Sequence, residues 1–186
     1  MLTKNISFKN FKSIKNNNKT KKELKIILKE NNSVLQSLSS SYKNSYNKKT
    51  ILKFKKYLNI RVIGMGGSIL GAEAINSFLK EKIKKNFYFA NNLQPTVDTP
   101  YKKKYINLII SKSGNTLETI SNSNVIIKKK DKNIFITENK KSYLFLLAEK
   151  LKAEIIHHNN FIGGRYSVLS EVGMLPAELM GLEVSK

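Results

Sequence analysis

The sequence contains no cysteine, no tryptophan and only two histidines among its 186 residues. Without cysteine the chain forms no disulfide and offers no thiolate nucleophile, redox pair or cysteine-ligated metal site. Two histidines leave little for any other metal site. Long apolar runs are also missing, since no stretch approaches the roughly eighteen apolar residues of a membrane span and residues 1–20 do not resemble a signal peptide. We therefore expect a cytoplasmic protein with no membrane partner.

Arginine is scarce although the chain is strongly basic. Lysine and arginine number 34 against 13 acidic residues, which gives a net charge of +21, yet the only arginines are Arg61 and Arg165. Such a charge is compatible with nucleic-acid binding, but nucleic-acid sites favour arginine for bidentate contacts. Lysine, asparagine and isoleucine are all abundant, as a bias toward AT-rich codons would produce in any protein. We interpret the lysines as a solvated surface and expect no nucleic-acid partner, with a polyanion site as the alternative.

The chain divides into two regions of different texture. Residues 1–59 are polar and lysine-rich and contain no glycine or proline. Within them, apolar residues at helical spacing predict one helix near 20–31 and a second near 33–48, with Ser33 as the cap of the second. We interpret 1–59 as a helical leader that packs against the main domain. From residue 60, short β-branched or aromatic runs at 60–63, 87–89, 105–110, 133–136 and 153–157 alternate with helical stretches near 69–84, 116–129 and 142–151.

This alternation is typical of an α/β fold. It predicts a doubly wound five-stranded parallel sheet of the flavodoxin-like order 2-1-3-4-5, preceded by the helical extension. The strands would belong to one domain spanning residues 60–186. In this order the first and third strands are neighbours, and ligands bind in the crevice at their carboxyl ends.

Two unusual loops follow those strands. Residues 64–68 (GMGGS) come after the first strand and residues 111–116 (SKSGNT) after the third, and each runs into a helix. Glycines allow close backbone approach, helix amino termini offer unpaired N–H groups, and hydroxyls donate further hydrogen bonds, so both loops suit a phosphate. The alternative for each loop is a tight turn with no ligand.

Two common phosphate motifs are excluded. A P-loop requires Gly-Lys-Ser/Thr where this chain has Gly71, Ala72 and Glu73. A dinucleotide site favours an acidic residue at the end of the second strand, where Asn91 and Asn92 stand.

A third cluster lies beyond the fifth strand at residues 161–167 (FIGGRYS). Arg165, presented on two glycines, could reach the same crevice and stabilise a developing oxyanion. The alternative is that Arg165 only ties down the loop through a salt bridge to Glu171 or Glu178.

The three segments together resemble the glucose-6-phosphate isomerase family, whose sugar-isomerase domain carries similar motifs in the same order. The matching segments are 62–71 (VIGMGGSILG), 111–119 (SKSGNTLET) and 163–170 (GGRYSVLS), and the resemblance covers residues 60–182, with 1–59 matching only loosely. It implies that Arg165 is catalytic and stabilises an enediolate. Residues 91–95 depart from the family, which often has an aspartate there. The residues implied in binding the sugar phosphate are Gly67, Ser68, Ser111, Lys112, Ser113 and Thr116.

The resemblance further implies an isomerase of glycolysis and gluconeogenesis. Its substrates would be glucose 6-phosphate and fructose 6-phosphate, with no metal or organic cofactor and a homodimer in the complete protein. The family's base, ring-opening histidine and lysine lie downstream of the Gly-Gly-Arg segment, and nothing in this chain matches the motifs that carry them. We therefore interpret the chain as an amino-terminal portion, without the second sugar-isomerase domain and inactive by itself.

No residue of the chain is assigned as the catalytic base. Glu73 and Glu118 lie in predicted helices next to the two loops, where a carboxylate more often serves the helix dipole or a cap. For His157 and His158, a packed or exposed structural role is a better interpretation than catalysis. The predicted helix from Leu175 would lead onward to the missing part. A non-catalytic sugar-phosphate sensor stays the alternative function, and a nucleic-acid-binding protein a third.

Overall fold

The computed structural model describes residues 17–30, 32–93, 104–128 and 131–184. Five strands form one sheet in the order β2-β1-β3-β4-β5, and every neighbouring pair is parallel. The predicted order is therefore confirmed, and each predicted strand lies within two residues of its observed bounds. The strands are β1 (Asn59–Gly64), β2 (Asn86–Ala90), β3 (Tyr105–Ile110), β4 (Lys132–Thr137) and β5 (Glu154–His157).

Helices cover both faces of the sheet, which confirms the doubly wound α/β fold. The predicted helices after β1, β3 and β4 are present but shorter, and the first of them gives way to a 3-10 turn at Lys80–Lys82. No helix in the described part of the chain has the length and apolar character needed to span a bilayer. The helices are α1 (Asn18–Lys29), α2 (Ser33–Ser37), α3 (Lys48–Lys55), α4 (Gly67–Phe78), α5 (Leu117–Ile126), α6 (Tyr143–Lys150) and α7 (Glu171–Met180).

Alternate residues of the strands divide the core into two layers. On one face, Ile60, Leu108 and Ile134 are fully buried and pack with apolar residues of α3, α4 and α7. On the other face, Ile109 and Phe135 pack with α5 and α6. Apart from the buried polar residues Arg61, Asn107 and Asn133, both faces of the central strands are apolar, which is why these strands read as largely hydrophobic runs in the sequence.

The prediction of one helix over 33–48 is wrong. The helix that begins at Ser33 ends at Ser37, its cap is Asn32, and a separate helix, α3, follows at Lys48–Lys55. Asn47 caps α3 by accepting a hydrogen bond from the Thr50 amide. Between the helices lie serine, asparagine and tyrosine residues, whose side chains bond to the backbone or to distant residues and so compete with helix formation.

The last predicted helix is confirmed with an earlier start. α7 begins at Glu171, capped by Ser170, and it ends at Gly181, whose φ of 92° is the left-handed conformation that terminates helices. The helix therefore ends at Met180. A 3-10 turn at Gly164–Leu169 precedes it and carries Arg165.

Candidate phosphate-binding site

The loops after β1 and β3 begin side by side, because Gly64 and Ile110 are partners in the parallel register. We call residues 64–68 the β1 loop and residues 111–116 the β3 loop. An added Cβ on Gly64 would lie 3.0 Å from the carbonyl oxygen of Ile110, so the two strand ends approach closely. The sheet thus brings together the two loops that the sequence marks as anion-binding.

The β1 loop is built from glycines in demanding positions. Gly66 has a φ of 55° and serves as the cap of α4 without any side-chain hydrogen bond. Gly67 packs against the backbone of Gly164, and an added Cβ would overlap the Gly164 carbonyl and lie 2.9 Å from the Arg165 nitrogen. Ser68 follows in the first turn of α4, and its hydroxyl has no hydrogen bond to a described residue.

The β3 loop is built around hydroxyl groups. The Ser111 and Thr116 hydroxyl oxygens are 3.0 Å apart, and the Ser113 hydroxyl accepts a hydrogen bond from the Asn115 amide. Gly114 has a φ of 65° and packs so closely on the Ser142 side chain that a Cβ would overlap it. The loop is therefore fixed from behind by α6, while Ser113 is exposed in front.

The helices that follow these two loops lack the side-chain caps found elsewhere. Neither α4 nor α5 has a side-chain cap, and the amides of Leu117, Glu118 and Thr119 donate to no other residue that the structure describes. Unpaired amides at a helix amino terminus, together with the helix dipole, favour an anion there. The described helices that do have side-chain caps begin after Asn17, Asn32, Asn47, Ser142 and Ser170.

Lys112 points from the β3 loop toward the Arg165 segment. Its Nζ donates to the carbonyl oxygen of Asn160 at 2.5 Å and lies 3.6 Å from a carboxylate oxygen of Glu138. The ammonium group thus joins the β3 loop to the segment that follows β5. The Lys112 amide itself donates to no residue that the structure describes.

Arg165 lies on the 3-10 turn that packs against the β1 loop. The Ser167 hydroxyl lies 2.7 Å from the Gly164 carbonyl and 3.3 Å from the Gly67 carbonyl. Arg165 is exposed and forms no ion pair with a described residue. The alternative of a salt bridge to Glu171 or Glu178 is not realised, because Glu171 pairs with His158 and Glu178 accepts a hydrogen bond from Tyr46.

A buried polar network behind Arg165 was not predicted from the sequence. His158 Nδ1 lies 2.5 Å from Glu171 Oε1, and the Tyr42 hydroxyl donates to Glu171 Oε2 at 2.8 Å. Burial by itself raises the pKa of Glu171, but the hydrogen bonds from His158, the backbone and Tyr42 outweigh it and lower the pKa below its ordinary value. Burial and the bond to Glu171 raise the pKa of Tyr42. The interpretation of His158 as a packed histidine agrees with its 4% exposure.

The segment after β2 is only partly described. The Asn91 side chain donates to Glu73 at 3.1 Å, and the Asn92 carbonyl accepts from Asn122 at 3.0 Å. Gln94 and Pro95, which complete the segment where the sequence departs from the family, lie outside the described residues.

Comparisons with known proteins point to one family. The family described as phosphoglucose isomerase matches residues 12–184. A glucose-6-phosphate isomerase of Methanocaldococcus jannaschii is 40% identical over 142 residues, which cover 70% of this chain and 35% of the relative. One of Acholeplasma laidlawii is 37% identical over 148 residues, covering 68% and 34%. The chain thus spans about a third of the length of these relatives.

Solved structures show the same fold. A hypothetical protein of Thermus thermophilus matches with a TM-score of 0.67 at 22% identity, over 90% of this chain and 44% of that one. Tagatose-6-phosphate ketose/aldose isomerase from Escherichia coli matches with a TM-score of 0.52 at 15% identity, over 69% and 38%.

Proposed function

This chain belongs to the phosphoglucose isomerase family, and we propose that it is the sugar-phosphate-binding part of a glucose-6-phosphate isomerase. The proposed reaction interconverts glucose 6-phosphate and fructose 6-phosphate by proton transfer through an enediol. The proposal includes a cytoplasmic role in glycolysis and gluconeogenesis, a homodimer in the complete protein and no cofactor.

The observation that carries this proposal is the backbone packing of the Arg165 turn on the β1 loop. Because Gly67 touches Gly164, the exposed Arg165 stands next to a loop that ends in an uncapped helix. A sugar phosphate held by its phosphate at the helix amino termini would extend toward this guanidinium. Arginine stays charged at neutral pH and donates several hydrogen bonds, so Arg165 suits the negative charge that an enediolate develops.

The phosphate would be held chiefly by the β3 loop. The hydroxyls of Ser111, Ser113 and Thr116 and the free amides of α5 form a cluster of neutral donors, to which Gly67 and Ser68 add the amino terminus of α4. In this proposal Lys112 contributes its backbone amide and its positive charge, although its side chain bonds to Asn160. Neutral donors at a helix dipole bind phosphate without burying a second full charge.

We propose that the chain binds substrate without turning it over. Isomerisation through an enediol needs a base to move a proton between adjacent carbons and an acid–base group to open the ring. The resemblance implies that those groups belong to motifs for which this sequence shows no match. The chemistry of this chain would then be positioning and electrostatic stabilisation.

The first test is binding, followed by the amide chemical shifts of this chain. Fructose 6-phosphate and inorganic phosphate are each expected to shift the amides of residues 64–68 and 111–119, whereas fructose without phosphate shifts neither. Repeating the titration at two salt concentrations separates this site from a general polyanion surface, whose affinity falls steeply with salt. A folded chain that responds to fructose and to fructose 6-phosphate alike would overturn the phosphate site.

The second test concerns Arg165 and uses a charged mimic of the enediolate. The mimic is arabinonate 5-phosphate, which lacks C1 of fructose 6-phosphate and has a carboxylate where fructose 6-phosphate has its C2 carbonyl. Arg165→Gln is expected to weaken the binding of this compound at least tenfold and that of inorganic phosphate by less than twofold. Equal losses would assign Arg165 to the phosphate, and no loss for either would favour a sensing module over an isomerase.

A further inference from the structure

The turn that carries Arg165 is supported from two sides. Gly67 lies against Gly164 on one side, as described above. On the other side, His158 Nε2 lies 3.1 Å from the carbonyl oxygen of Ile162, three residues before Arg165. The turn between these supports is closed locally, because the Tyr166 amide donates to the Gly163 carbonyl at 2.9 Å.

The hydrogen-bond partners of His158 fix the direction of its bonds. A backbone carbonyl only accepts, so Nε2 donates to Ile162. Glu171 Oε1 also accepts a hydrogen bond from the Asn159 amide at 3.3 Å, and Glu171 Oε2 accepts one from the Tyr42 hydroxyl. Because donors surround both oxygens, the Glu171 side chain is best satisfied as a carboxylate. Nδ1 of His158 therefore donates as well, and the ring bridges the carboxylate to the backbone of the Arg165 turn.

Burial makes this bridge rigid. The His158 and Glu171 side chains are 1% and 0% exposed, so solvent offers neither of them a replacement partner. Loss of one member of a buried, charge-assisted pair leaves the other unpaired, which is costly. The pair thus specifies one position of the Ile162 carbonyl far more strictly than a surface contact would.

Tyr42 brings the amino-terminal region into the same unit. Its hydroxyl donates to Glu171 at 2.8 Å and accepts from the Asn159 side chain at 2.9 Å. Tyr42 lies between α2 and α3, where the sequence predicts only a helix of the leader. The neighbouring Tyr46 has the same chemistry but bonds to Glu178 at 2.9 Å, away from His158.

We propose that Tyr42, Glu171 and His158 form a positioning unit that holds the Ile162–Arg165 backbone so that the Arg165 guanidinium faces the anion-binding loops. None of the three touches the sugar in this arrangement. The unit acts through Ile162, and it makes the segment between α2 and α3 a part of the site. This inference rests on the proposed role of Arg165.

The test uses matched pairs of variants in this chain. His158→Gln removes the bridge, because glutamine does not reproduce two opposed ring donors, and His157→Gln is the control at the exposed neighbour. Tyr42→Phe removes one hydroxyl from Glu171, and Tyr46→Phe removes the matching hydroxyl from Glu178. The affinities for arabinonate 5-phosphate and for inorganic phosphate are measured for each variant.

His158→Gln is expected to weaken the binding of arabinonate 5-phosphate at least fivefold and Tyr42→Phe at least twofold. Inorganic phosphate should bind with unchanged affinity in both variants, because the β3 loop is intact. The amide signals of Gly163–Tyr166 should shift in both variants without ligand and stay in place in the two controls. A merely structural role would lower both affinities together or neither.

Two outcomes overturn the inference. One is a folded His158→Gln chain whose ratio of the two affinities equals that of His157→Gln. The other is a Tyr42→Phe chain that matches Tyr46→Phe in the Gly163–Tyr166 amide signals and in both affinities. This second outcome decides the question if His158→Gln does not fold. Failure of the proposed function gives a different result, since the unmodified chain would then bind neither anion at these loops.

Discussion

The β1 loop and the β3 loop occupy equivalent places in the sheet but are built differently. The β1 loop is fixed by backbone packing, with Gly67 against Gly164, and has few hydroxyls. The β3 loop is fixed by side chains, with Ser111 bonded to Thr116 and Gly114 seated on Ser142. Each loop is followed by a helix without a side-chain cap, so both loops have the electrostatics of an anion site. They differ in what holds them in place and in the groups that they present.

The difference indicates which task each loop performs. A loop held by close backbone contact fixes the position of the segment it touches, because any atom added to the loop displaces that segment. A loop that presents hydroxyls and free amides supplies hydrogen bonds to a ligand. We therefore expect substitutions in the β1 loop to disturb the Arg165 turn and substitutions in the β3 loop to disturb phosphate binding.

The largest effect is expected at Gly67. In Gly67→Ala the new methyl group would overlap the Gly164 carbonyl, which is backbone and gives way only if the Arg165 turn moves. The free energy of unfolding, measured by urea denaturation, should fall by about 2–4 kcal/mol. Gly163→Ala is the control, because its φ of −68° suits alanine and its Cβ would meet only an ordinary contact with the Tyr166 ring at 3.5 Å. Its free energy of unfolding should change by no more than about 1 kcal/mol. A loss for Gly67→Ala no larger than that for Gly163→Ala would contradict the tight packing.

The second effect concerns the other support of the Arg165 turn and depends on pH. The lowered pKa of Glu171 means that its ionisation stabilises the fold fully above the ordinary value of 4.5. This contribution is lost as the pH falls through the lower pKa of the folded state. Glu171→Gln should therefore lower the free energy of unfolding by about 2 kcal/mol at neutral pH and flatten its decline in acid. If Glu178→Gln flattens the acid decline equally, the effect does not belong to the His158 pair.

The sequence predicts the sheet and the loops because both are local signals. Buried parallel strands read as largely apolar runs, and glycine and hydroxyl residues mark the strand ends independently of distant parts of the chain. The Tyr42–Glu171 bond joins residues 129 positions apart, so no local pattern announces it. The same bond explains the wrong helix over 33–48, since Tyr42 is held by α7 rather than in a helical turn. A glutamate directly after the GGRYSVLS segment is the one available signal, and its position in the sequence suggests only a partner for Arg165.

The third effect is on phosphate binding by the β3 loop. Thr116→Val keeps the shape of the side chain but removes the hydroxyl that lies 3.0 Å from Ser111. The affinity for fructose 6-phosphate, measured by calorimetry, should fall about tenfold, which corresponds to about 1.4 kcal/mol for one charge-assisted hydrogen bond. The amides of Gly163–Tyr166 should keep their positions, because the β1 loop is unchanged. An unchanged affinity would remove the Thr116 hydroxyl from the proposed phosphate site.

The smallest effect is expected one turn further along α5. Thr119 is 1% exposed, and its hydroxyl has no hydrogen-bond partner among the described residues. Thr119→Val replaces this buried, unpaired group with a methyl group of similar size, so the free energy of unfolding should rise by about 0.5–1 kcal/mol. Sugar-phosphate affinity should stay at its original value, which makes the variant a control for Thr116→Val on the same helix. A loss of affinity as large as that of Thr116→Val would mean that the Thr119 hydroxyl binds the ligand. The phosphate site would then include the first turn of α5 as well as the β3 loop.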